Sequence, residues 1–123
     1  MAKWGRADTQ ATKTIMHDDG ENFIVVRTNL TKAEANRLME HSPTREDVDN
    51  RMIKTIELIE ASMEVFVTDW SVEDDDGNKI VPTIASYREL PASIGAWIDQ
   101  QVQKEVSVAM GVDVEEAEGK PSK

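Results

Sequence analysis

Apolar positions along the chain change period several times, and each change predicts an element. Phe23-Ile24-Val25-Val26-Arg27 is a β-branched run bounded by Gly20 and Asn29, which predicts a short strand. Thr31-Lys32-Ala33-Glu34 has the form of a capping box, so a helix is expected from there through Leu38-Met39, ending near His41-Ser42-Pro43. Thr44-Arg45-Glu46-Asp47 repeats the Thr-x-x-acid pattern and predicts a second start. From it runs a stripe at spacings of three and four: Met52, Ile56, Ile59, Met63, Phe66 and Trp70, with Ile53 and Val67 beside it. Helix is expected through about Val67, although Val65-Phe66-Val67-Thr68 is also rich in strand formers. Asp76-Gly77 between Trp70-Ser71-Val72 and Ile80-Val81 predicts a turn, and Pro82 confines the second arm to an edge or an irregular extension. Thr83 is placed to cap a short helix over Ile84, Tyr87 and Leu90. Pro91 suits the first turn of a last helix, whose stripe is Ile94, Trp97, Ile98, Val102, Val106, Ala109 and Met110, with Gly111 as its stop.

The pattern adds up to an α+β fold, mainly α-helical: a small helical domain with a short β-strand or hairpin element. Residues 1–20 are polar and aperiodic, and are expected to form a flexible N-terminal arm in which Trp4 stands out. Residues 21–111 make one globular domain, and 112–123 read as a disordered charged tail. A length of 123 residues agrees with one core. Because only 3 Trp, 1 Tyr and 2 Phe are present, that core must be mostly aliphatic and methionine.

Charge and composition then exclude whole classes of function. With 24 acidic against 14 basic side chains the net charge is −10, and no basic run or Arg/aromatic alternation offsets it. Nucleic acid and anionic membranes are therefore disfavoured as partners. No signal-peptide pattern or membrane span is present, and the absence of cysteine removes disulfides, thiolate metal sites and cysteine nucleophiles. A soluble, intracellular protein is expected.

One segment has the composition of a site. Asp74-Asp75-Asp76-Gly77-Asn78 can be laid on a calcium loop with Gly77 sixth, Asp74 third and Asp76 fifth. Position one is then Val72 and position twelve Thr83, so the first ligand and the bidentate carboxylate are missing, and a solvated turn is the better reading. His17 and His41 lack metal-ligand spacing, and no serine sits in a nucleophile elbow. Neither a cofactor nor catalysis is expected. What remains is protein binding, for which Trp70, Trp97 and Ile98 are the candidate contact residues. A core-facing stripe is the competing reading of the last two.

The strand-then-cap run Asn22–Glu34 resembles the opening of small tail assembly chaperones of tailed bacteriophages. So does Val67-Thr68-Asp69-Trp70-Ser71-Val72-Glu73-Asp74-Asp75-Asp76-Gly77, followed by Pro82 and the Leu90-Pro91 helix start. The likeness spans about residues 21–105. It implies a non-enzymatic protein of the infected host's cytoplasm that coats the tape-measure protein, keeps it soluble and helps recruit tail-tube subunits, possible self-association included. It carries over no catalytic residue. A virion structural or accessory subunit is the alternative within phage biology. An acidic DNA-mimic inhibitor is the alternative outside it, weakened because the acids gather in turns and tails.

Overall fold

The computed structural model describes residues 5–111, so Trp4 and the tail expected over 112–123 lie outside the described residues. Three strands, β1 (Thr12–Met16), β2 (Phe23–Arg27) and β3 (Val67–Trp70), form an antiparallel sheet in the order β1-β2-β3. Four helices accompany it: α1 (Lys32–Glu40), α2 (Arg51–Phe66), α3 (Ile84–Arg88) and α4 (Ala92–Ala109). The α+β class with a helical majority is as the pattern predicts.

β2 is the central strand. Its Ile24 and Val26 are buried under the helices, while Phe23, Val25 and Arg27 are half-buried, the alternation expected of a sheet covered on one face. The flexible arm expected over residues 1–20 is corrected by the structure, because Thr12–Met16 pair with β2 from Thr12↔Arg27 to Met16↔Phe23. The strand was hidden because it is an edge: only Ile15 turns toward the core, so Lys13 and Thr14 leave no apolar alternation to read. His17–Asn22 close the hairpin, with Gly20 at φ +77 and the Asp19 carboxylate accepting from the N–H groups of Glu21 and Asn22.

The Thr31 capping box forms in full, and Arg27 reaches its acid. The N–H of Glu34 donates to Thr31 Oγ1 (3.1 Å), that of Thr31 to Glu34 Oε1 (3.0 Å), and the Arg27 guanidinium to both Glu34 oxygens (2.7 and 2.9 Å). The look-alike at Thr44 behaves differently. Asp47 accepts from both the N–H and the hydroxyl of Thr44, which closes a separate turn, and the helix begins only at Arg51.

Helix α2 ends at Phe66, and the chain passes directly into β3 with Val67 already extended (φ −81, ψ 114). Val67 and Trp70 thus belong to the sheet, where β2 offers an unpaired edge that β-branched Val67-Thr68 fills. Thr83 caps α3 reciprocally with Ser86, and Gly111, at φ +88, follows α4. Trp70, Phe66, Met63, Ile98, Val102, Ile24, Val26, Val67 and Leu38 form the core, which is aliphatic and methionine apart from two aromatic rings.

Candidate functional site

The Asp69-Trp70-Ser71 segment has a structural task at each residue. Asp69 holds the Lys79 ammonium at 3.0 Å, and the Trp70 indole N–H donates to the Ile80 carbonyl at 2.6 Å. The Ser71 hydroxyl donates to Asn22 Oδ1 (2.9 Å) and accepts from the Phe23 N–H (3.0 Å). Together they fix the end of β3 to the β1–β2 turn on one side and to the acidic 73–79 turn on the other. In that turn Asp74 Oδ1 accepts from the N–H groups of Asp76 and Asn78, while Gly77 takes φ +83. The Asp74 carboxylate is thus spent on its own backbone, as in an Asx turn. Among the described residues no group of three or more His, Asp or Glu side chains is placed to hold a metal ion.

These ties open a cleft of about 330 Å³ between the end of the sheet and the start of α4. Trp70, Ile24 and Ile98 are buried and form its floor, while Leu90, Ile94 and Trp97 stand half-buried at its side. The three candidate contact residues therefore meet at one place, but in different ways. Trp70 and Ile98 belong to the core and hold the floor, whereas Trp97 keeps part of its ring exposed. The His17 ring stands edge-on to Trp97, with centroids 4.8 Å apart at 69°.

The rim of the cleft is acidic. Glu73 lies on it and is followed by the exposed Asp74, Asp75 and Asp76. Asp18, Asp19 and Glu21 are exposed on the turn that presents His17 and Asn22 to the cleft. Hydrogen bonds from the Asn22 N–H, the Asn22 amide and the Glu21 N–H lower Asp19 to about 2, so its charge persists in mild acid. Lys79 is already engaged by Asp69.

A second feature lies on α2. Its stripe enters the core at Met63 and Phe66, but the same stripe runs N-terminally past the core edge. Met52, Ile53 and Ile56 are 73, 59 and 47% exposed, with Val48 exposed just before them and Met39 at the end of α1. Arg51 and Lys54 lie within these turns, and Glu57 follows them in solvent. The spacing predicted a helical stripe here; it gives the face of a helix but not the point at which its neighbours stop.

Behind α2 lies a polar cluster that the motif reading missed. Arg88 donates to both Glu60 oxygens at 2.7 Å, holding that carboxyl below its usual range, and the Tyr87 hydroxyl donates to Asp99. Burial pushes Asp99 up, aided by the nearby Glu60 charge and opposed by the Tyr87 bond. These residues are far apart in sequence, and only the packing of α3 and α4 against α2 assembles them.

Comparison with protein-family models, with curated proteins and with solved structures returned no match. No helix among the described residues is long and apolar enough to cross a membrane.

Proposed function

We propose that this chain is a non-enzymatic tail assembly chaperone that binds a phage tape-measure protein in the host bacterial cytoplasm during tail morphogenesis. The observation that carries the reading is the first two turns of α2, where Met52, Ile53 and Ile56 extend an apolar stripe beyond the core into solvent. A contiguous apolar helical face of this kind fits an amphipathic helix of a client. The likeness of the Asn22–Glu34 and Val67–Gly77 segments to the chaperone family supplies the identity of that client. The net charge of −10 supports the reading as well, since it keeps a chaperone with an exposed apolar face from precipitating.

Co-expression with the tape-measure protein of the same phage tests this. A soluble complex is expected, and Ile53→Glu/Ile56→Glu is expected to abolish it while the isolated variant keeps its helix content. No complex with the parent chain, or full retention by the double variant, would sink the reading.

A further inference from the structure

The Trp97 cleft is separate from the α2 face, and its size and charge describe its occupant. At about 330 Å³ it lies at the lower limit of small-molecule sites, enough for one large side chain with its neighbours. Its floor is apolar, its lining includes the Glu73 carboxylate, and the turns that supply His17, Asn22 and Glu73 carry further exposed carboxylates close by in sequence. A segment that fits must present a bulky apolar anchor between cationic groups. Such a segment occurs at the N-terminal edge of this chain: Lys3-Trp4-Gly5-Arg6, an indole with a cation on each side, of which Gly5 and Arg6 are among the described residues.

The cleft of the same molecule is out of reach of that segment. Gly5, Arg6 and Ala7 lie beside Leu30, Thr31 and Lys32, at the end of the hairpin where the Thr28 N–H donates to the Ala11 carbonyl. The cleft is at the other end, by His17 and Asn22. Six residue steps along β1, from Ala11 to His17, separate them, roughly 20 Å at about 3.3 Å per residue. Trp4 adjoins Gly5, and one residue spans only about 3.8 Å.

We propose that the cleft takes Lys3-Trp4-Gly5-Arg6 of a second copy of the chain, so that copies join head to tail. The two contact surfaces differ, one a peptide and the other a cleft. Such a heterologous contact generates open chains or rings instead of closing as a dimer. This assembly does not depend on the identity of the client.

Sedimentation velocity on the full chain over a range of concentrations tests it. The parent is expected to grow past a dimer with concentration, and to dissociate as salt screens the rim. Trp4→Ala removes the anchor, Glu73→Lys reverses the charge of the acid that lines the cleft, and Ile94→Arg fills the cleft. Each is expected to weaken association by about tenfold or more. Glu73 is exposed, so its variant remains informative if circular dichroism shows Ile94→Arg misfolded. Mixing Trp4→Ala with Glu73→Lys leaves one intact cleft and one intact anchor per pair, so the mixture is expected to form a dimer and stop there. A parent that stays monomeric at every concentration would give the cleft to another protein and overturn the proposal. Assembly of Trp4→Ala like the parent, or a mixture without dimer, would overturn it too.

Discussion

Glu34 receives hydrogen bonds from two directions, the Thr31 N–H that opens α1 and the Arg27 guanidinium that ends β2. Arg27 is the larger cause and the Thr31 N–H the next, and together they lower the carboxyl to about 2. Its reference value is 4.5. A carboxyl whose folded pKa is depressed contributes stability above its unfolded pKa and loses it as pH falls through the folded one. The window is therefore between 4.5 and about 2. Glu34→Gln is expected to cost on the order of 2 kcal/mol at neutral pH. The cost should shrink toward zero at the acid end of that window, as read by urea unfolding at several pH values. A cost that did not change with pH would show that the pair adds no charge-dependent stability. The capping half of this constellation was legible, because Thr-x-x-Glu is a local pattern. The Arg27 half was not, since a strand residue pairing with a helix N-terminus depends on how the two elements meet.

At the scale of elements, the same stripe on α2 divides into a buried and an exposed half, and the two should respond oppositely to truncation. Met63→Ala opens a cavity in a packed core and is expected to cost about 2–5 kcal/mol. Ile53→Ala lies on a surface helix turn, where the change should stay within about 0.5 kcal/mol. Thermal denaturation of the two variants checks this, and a large loss for Ile53→Ala would mean that the face is covered in the native protein. Helix periodicity made all of Met52–Phe66 legible as one face, yet exposure depends on what α3 and α4 reach. The Thr44 turn shows a similar limit. Its pattern matches that at Thr31, but Asp47 takes both the N–H and the hydroxyl of Thr44, and no helix starts there. Strand β1 was illegible for another reason, because an edge strand owes its place to backbone pairing with β2 and little to its side chains. Trp70, Trp97 and Ile98 were legible as candidate anchors, but their meeting with His17 and Asn22 at one cleft needed the hairpin that β1 completes.

For the whole molecule, charge is the property most exposed to conditions. Among the described residues the Lys and Arg ion pairs are Arg27–Glu34, Arg88–Glu60, Lys13–Glu105 and Lys79–Asp69. Against them stand the exposed carboxylates of the 18–21 and 73–76 turns within a net charge of −10. Repulsion among like charges acts over distances comparable to the Debye length, about 30 Å at 0.01 M salt and about 8 Å at 0.15 M. Close pairs at 2.6–3.0 Å are weakened far less over that change. Added salt therefore removes more repulsion than attraction, and the melting temperature is expected to rise by a few degrees between those two ionic strengths. Calorimetry at constant pH measures it, with the Trp4→Ala variant used so that self-association does not contribute. A fall instead would mean that these ion pairs outweigh the charged turns.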